Sequence, residues 1–264
     1  MRQGESASSP VVLAIAATDP GGGAGLTADV RILDRLGVHP ASVVTAITVQ
    51  TTEQFLTLVP LEPELVYTQV EAVCQDLVIS AIKVGAVGTG AIAQAIAEAL
   101  EAARCKAPLV LDPVAGATVG GSLAEGGPLA EVLAPILKRT TLITPNLREA
   151  VLLTGAEQTC PAEYFELLRP LGVEALLLKS YQSERGFEDG LVTPEGKWEL
   201  SGPKVDYEVH GTGCALASAI AGLLARGVDL LHAVRQARAL VLELMIAAEP
   251  LGKGDARIWR WPPA

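Results

Sequence analysis

Aromatic residues are scarce in this 264-residue chain: three Trp, four Tyr and three Phe make up 4%, while half of all residues are hydrophobic. The core is therefore expected to be aliphatic and closely packed rather than built on stacked rings. Basic residues are short too, with 20 Lys and Arg against 30 Asp and Glu and a formal net charge of -10. That balance argues against nucleic acid or an anionic membrane as the main partner, although backbone amides can still hold a phosphate locally. The four cysteines, Cys74, Cys105, Cys160 and Cys214, form no C-x-x-C pair. A zinc framework is not indicated, and the pattern suits a reducing cytosol. With three histidines and no G-x-S-x-G elbow, a serine hydrolase is a poor fit. No apolar run is long enough to span a bilayer, and Val11–Ala17 is too short for a signal peptide. A cytoplasmic protein is expected, with a loose tail over residues 1–10 and one domain over 11–264.

What is present is an alternation of short apolar runs with longer amphipathic ones. Val11–Ala17, Ser42–Val49, Ile79–Val84, Pro108–Asp112, Leu142–Thr144 and Ala175–Lys179 read as strands. Leu26–Leu36, Pro63–Asp76, Ala91–Ala103, Leu147–Leu153, Ala162–Leu168, Gly213–Arg226 and Leu230–Ala248 read as helices. Such alternation predicts an α/β protein whose mostly parallel sheet is covered on both faces, with ligands at the carboxyl ends of the strands.

Unusual residues gather at those strand ends. The segment His210-Gly211-Thr212-Gly213-Cys214 opens a helix, where converging amides favour an anion and a thiol is expected to be driven toward its thiolate. After the first strand, Gly23-Ala24-Gly25-Leu26-Thr27-Ala28 fits a relaxed dinucleotide fingerprint. No acidic residue ends the second strand, however, and Asp19 and Asp29 would crowd a pyrophosphate, so a neutral polar ligand on Asp29 and Gln50 fits better. Asp29 also reads as a first-turn residue complementing the helix dipole. Asp112 ends a strand ahead of a glycine-bearing loop. Asn146 and Glu149, one helical turn apart, read either as a capping pair or as oxygen ligands facing a hydrated magnesium ion. Lys253 stands between two glycines.

Taken in order, Asp19-Pro20-x-Gly22-Gly23-Ala24-Gly25-x-x-Ala28-Asp29, Thr45-Ala46-x-Thr48-x-Gln50-x-Thr52, Lys83-Val84-Gly85, Asp112-Pro113-Val114, Thr144-Pro145-Asn146-Leu147-x-Glu149-Ala150 and the His210–Cys214 segment resemble the hydroxymethylpyrimidine/phosphomethylpyrimidine kinases of thiamine biosynthesis. The resemblance runs from about Val11 to Gly254 and implies the three-layer α/β/α fold of the ribokinase-like superfamily. It implies ATP-dependent phosphorylation of 4-amino-5-hydroxymethyl-2-methylpyrimidine, its monophosphate, or both, with ATP and Mg2+. By that match Ala24, Asp29, Gln50, Val114 and Lys253 bind the pyrimidine substrate, while Asp112, Thr144, Asn146 and Lys179 bind the nucleotide. Asn146 and Glu149 approach the metal through water. Gly211, Thr212 and Gly213 form the anion hole, and Cys214 takes the acceptor proton. A homodimer is the expected assembly. The chain departs from the family pattern at Thr118, where a lysine is common, and at Lys179-Ser180-Tyr181-Gln182, where Lys-Gly-Gly-His is common. Thr51 replaces an asparagine, Ala86 replaces a methionine, and the usual glycine- and histidine-rich tail is replaced by residues 255–261. Pyridoxal phosphorylation and a catalytically silent pyrimidine-binding module remain open at this point.

Overall fold

A computed structural model describes residues 9–116, 124–183, 186–203 and 205–262. Residues 1–8 of the expected tail and Thr118 lie outside them. Val11–Ala16 (β1) leads through a glycine turn into Gly25–Arg35 (α1) and His39–Val44 (β2). Ala46–Gln50 (β3) and Phe55–Pro60 (β4) then form a separate antiparallel hairpin. Pro63–Asp76 (α2), Ile79–Val84 (β5), Gly88–Thr89 (β6), Gly90–Ala102 (α3), Leu109–Leu111 (β7), Ala124–Glu125 (β8) and Leu129–Leu137 (α4) follow. Next come Leu142–Ile143 (β9), Leu147–Thr154 (α5), Pro161–Leu168 (α6), Leu176–Ser183 (β10), Gly186–Thr193 (β11) and Gly196–Leu200 (β12). Val209–His210 (β13), Thr212–Ala225 (α7), Leu230–Ile246 (α8) and Arg257–Ile258 (β14) complete the order.

Among the described residues the main sheet has eight strands in the order β12-β11-β10-β9-β7-β5-β1-β2. The strands from β2 to β10 are parallel, and β11 and β12 add an antiparallel edge. Strand β1 shows why the layers form. Successive side chains point to opposite faces, so Leu13 and Ile15 join the core under α2–α6 while Val12, Ala14 and Ala16 join the core under α1, α7 and α8. The result is the expected three-layer α/β/α arrangement. Helix α7 is buried without a break from Ala215 to Leu223. Its small residues let it lie close to the sheet and to α1, where a Cβ on Gly222 would stand 3.0 Å from Leu36.

The structure redraws several elements. The single strand expected over Ser42–Val49 divides at Thr45, whose N–H donates to the Ala16 carbonyl and whose hydroxyl donates to the Ala86 carbonyl. These bonds turn the chain out of the main sheet and start the hairpin. Helix α4 carries Pro135 in its last turn, which masked it as a helix in the sequence. The edge strands β11 and β12 interleave charged residues and glycines with their apolar ones, so only the buried start of β10 was legible. Among the described residues, no helix is long and apolar enough to cross a membrane.

Candidate active site

The carboxyl ends of β1, β5, β7, β9 and β10 open onto a cleft of about 1060 Å³, which the start of α7 also lines. Gly211 caps that helix with φ 78°, a left-handed conformation that glycine adopts without steric cost. A Cβ there would fall 1.9 Å from the Gly23 carbonyl oxygen, so the two glycine loops touch backbone to backbone. At Gly213 a Cβ would lie 3.3 Å from Lys179 Nζ and 3.6 Å from Asp112 Oδ2. The start of α7 therefore presents bare peptide to the cleft, an arrangement suited to an anion.

Asp19 organises the glycine turn. Its Oδ1 accepts from the Gly21 N–H at 2.8 Å, and its Oδ2 accepts from the Gly23 and Ala24 N–H groups at 3.1 and 2.8 Å. His210 Nε2 lies 3.0 Å from the same Oδ2. Burial opposes the Asp19 charge, but His210 and the Ala24 and Gly21 amides outweigh it and hold the carboxyl below its usual range. The amides a dinucleotide pyrophosphate would need are already taken by this carboxylate, which disposes of the fingerprint reading. On the hairpin side Gln50 donates from Nε2 to Thr48 Oγ1 at 3.0 Å. Its Oε1 is buried with no hydrogen-bond partner among the described residues, an unsatisfied acceptor on a residue that lines the cleft.

Asp29 corrects the sequence reading. It is fully buried and absent from the cleft lining. Its Oδ2 pairs with Lys83 Nζ at 2.8 Å, both side chains being 0% exposed, and its Oδ1 accepts from Ser218 Oγ at 2.7 Å. The pair ties α1, β5 and α7 together beneath the site. It also explains Lys83-Val84-Gly85: a Cβ on Gly85 would stand 2.7 Å from Lys83 Nζ, so only glycine leaves room for the ammonium. Burial works against the Lys83 charge, but Asp29 and Asp112 raise its pKa and keep it cationic.

Cys214 lines the cleft, but it does not carry the lowered pKa expected of a helix start. Burial pushes its thiol up, Lys83 pulls it down, and Asp112 and Asp29 push it up again, to about 12. Desolvation and two carboxylates outweigh Lys83 and the Gly25 amide, so the group is a thiol at neutral pH.

The opposite wall is ionic. Lys179 Nζ lies 3.2 Å from Asp112 Oδ1 and 3.9 Å from Glu149 Oε2. The Thr144 hydroxyl donates to Asp112 Oδ1 at 3.5 Å and is itself fully buried outside the cleft lining. Asn146 and Glu149 form the capping box: the Asn146 N–H donates to Glu149 Oε2 at 2.8 Å and the Glu149 N–H donates to Asn146 Oδ1 at 2.9 Å. Burial raises the Glu149 pKa, Lys179 lowers it and Asp112 raises it again; the net direction is up. A cation placed between the carboxylates relieves that penalty. Among the described residues no three His, Cys, Asp or Glu side chains converge as a direct metal cage. The oxygen-only donors Asp112, Glu149 and Asn146 therefore fit a hard cation that keeps much of its water.

Ala24, Gln50, Val114, Asp112, Asn146, Glu149, Lys179 and Gly211 through Cys214 all line one cleft. Lys253 does not: it is exposed, and its flanking glycines are explained by Thr52, whose carbonyl oxygen would lie 1.8 Å from a Cβ on Gly254. The sequence reading missed the apolar shelf of Val209, Leu216, Val241 and Met245. The i, i+4 spacing of Val241 and Met245 on α8 was its one visible signal.

The phosphomethylpyrimidine kinase family matches residues 19–259. A hydroxymethylpyrimidine/phosphomethylpyrimidine kinase of Rhizobium meliloti is 36% identical over 259 residues, covering 94% of each chain. The crystal structure of a phosphomethylpyrimidine kinase from Clostridium difficile superposes with a TM-score of 0.75 at 29% identity, over 89% of this chain and 98% of that one. An ADP complex of Bacillus subtilis pyridoxal kinase shares the fold, with a TM-score of 0.84 at 23% identity over 96% and 97% of the two chains.

Proposed function

The chain belongs to the phosphomethylpyrimidine kinase family, and from that premise we propose that this cleft transfers the γ-phosphoryl group of ATP to hydroxymethylpyrimidine and to its monophosphate. The unsatisfied Gln50 Oε1 carries the acceptor assignment, because Gln50 lines the cleft together with Ala86 and Val114 and an unpaired acceptor suits the exocyclic amine of an aminopyrimidine. Ala24, Val114 and Ala86 enclose the ring. The shelf of Val209, Leu216, Val241 and Met245 takes the nucleotide base, and Lys179 meets its phosphates.

The chemistry asks for position and charge more than for covalent steps. The amides of Gly211, Thr212 and Gly213 face the charge that spreads over the transferring group. Mg2+, held through water by Asp112, Glu149 and Asn146, supplies neutralisation of the phosphates when bound. Cys214 faces the acceptor oxygen as a thiol. Holding it as thiolate at pH 7 costs on the order of 7 kcal/mol, so proton removal is hard for the alcohol and dispensable for the monophosphate, which is already an anion. A silent binder has no use for these paired carboxylates. Pyridoxal tests the width that Ala86 gives the pocket.

The outer face of the β3–β4 hairpin exposes Ile47, Val49 and Val59, with Ile47 and Val59 in register. A two-stranded ribbon is marginal on its own, and we assign this face to contact with a second copy. Sedimentation at the 27.4 kDa of one chain would contradict that assignment. Four free thiols suit a cytoplasmic setting.

A further inference from the structure

The segment after α8 departs from the family pattern, and the structure gives it a specific place. The Glu249 and Ile258 peptides exchange hydrogen bonds of 3.0 and 2.9 Å, closing residues 249–258 into a loop. Within that loop the Lys253 and Gly254 N–H groups both donate to Thr52 Oγ1 at 3.1 Å, beyond the end of the hairpin strand that carries Gln50. Just after the loop closes, Trp259 is fully buried and its indole N–H donates to the Gly23 carbonyl at 2.7 Å. Arg31 lies over the Trp259 ring at 4.0 Å and donates to the Gly22 carbonyl at 2.7 Å, and Trp261 meets Trp259 edge-on at 6.2 Å. Strand β14 pairs with β13, which ends in His210.

The tail thus touches both walls of the acceptor end: the glycine turn through Trp259, and the Gln50 hairpin through Thr52. We propose that residues 249–261 form a strap that sets the acceptor loop, with Trp259 as its positioning residue. The inference rests on the acceptor assignment above. Gly23 is where the strap acts because its peptide sits at the junction. Its N–H is bound by Asp19, its carbonyl abuts Gly211, and the next residue, Ala24, lines the cleft. A buried indole N–H needs a partner, and the Gly23 carbonyl is that partner. Trp259→Phe keeps an aromatic ring at the site but removes the donor together with part of the indole's packing, so the protection of α8 is the control for general loss of fold support.

The test compares wild type with Trp259→Phe and, at the other anchor, Thr52→Val. Amide hydrogen exchange over residues 19–25 is expected to speed up about tenfold in Trp259→Phe while α8 keeps its protection. The acceptor KM is expected to rise about three- to tenfold in each variant, the size of one lost hydrogen bond, with the KM for ATP unchanged. Exchange and KM both at wild-type values would overturn the strap. A parallel rise in both KM values with general loss of protection would also overturn it, because that is the signature of simple fold support. If wild-type protein phosphorylates no pyrimidine, the proposed function fails, and exchange over 19–25 still decides the strap.

Discussion

Replacing Asp29 by Asn separates the structural role of this carboxylate from a substrate-binding one. In the structure it neutralises Lys83, with both side chains 0% exposed and 2.8 Å apart, and accepts from Ser218. The substitution leaves an ammonium in the core without a counter-charge. Breaking a buried pair from one side costs about 3–5 kcal/mol, a large share of the roughly 5–15 kcal/mol that holds a typical domain together. At about 2–4 °C per kcal/mol for a chain near this size, the melting temperature is expected to fall by about 10 °C. Removing every partner tells the converse. The combination Asp29→Leu, Lys83→Met, Ser218→Ala leaves no orphaned polar group and is expected to recover most of the loss. Thermal and urea unfolding read both outcomes. An Asn variant as stable as wild type with a raised acceptor KM would mean that Asp29 binds substrate, and the buried-pair assignment would be wrong.

Three further predictions concern the cleft. With the Cys214 thiol near 12, its thiolate fraction rises tenfold per pH unit from 7 to about 11. Turnover of the alcohol should climb between pH 7 and 9, turnover of the monophosphate should stay flat, and Cys214→Ala should abolish the climb; equal losses on both acceptors would exclude proton removal at Cys214. The Glu149 carboxyl has a raised folded pKa, so ionising it costs stability as pH rises through that value, and no cost remains once it is protonated below the unfolded value. Glu149→Gln should therefore match or exceed wild-type stability at pH 7 while raising the Mg2+ needed for half-maximal rate about tenfold; an unchanged Mg2+ requirement would remove Glu149 from the metal's surroundings. Ser180 sits at φ 51° with its N–H on Asp189 Oδ1, and Ser180→Gly should gain about 0.5–1 kcal/mol in urea unfolding by relieving the left-handed strain.

Strand ends and the G-T-G-C helix start were legible because local rules govern them: apolar runs mark buried parallel strands, and paired glycines mark close backbone approach. Asp29 was misread because its partners are Lys83 and Ser218, 54 and 189 positions away, a separation no periodicity reports. Lys83-Val84-Gly85 stood out as a motif for the same pair without revealing it. The Cys214 thiol followed its helix in the sequence and its desolvation in the fold, and desolvation wins. Trp259 looked like one residue of a departing tail, and only the folded chain brings its N–H to Gly23, 236 positions earlier.

The most direct measurement is product formation by wild-type protein with ATP and Mg2+ on hydroxymethylpyrimidine, its monophosphate and pyridoxal. The cleft described here should yield the monophosphate from the alcohol and the diphosphate from the monophosphate, with one ADP for each transfer. Turnover of pyridoxal alone, or of none of the three, would show that the acceptor end has been assigned to the wrong chemistry.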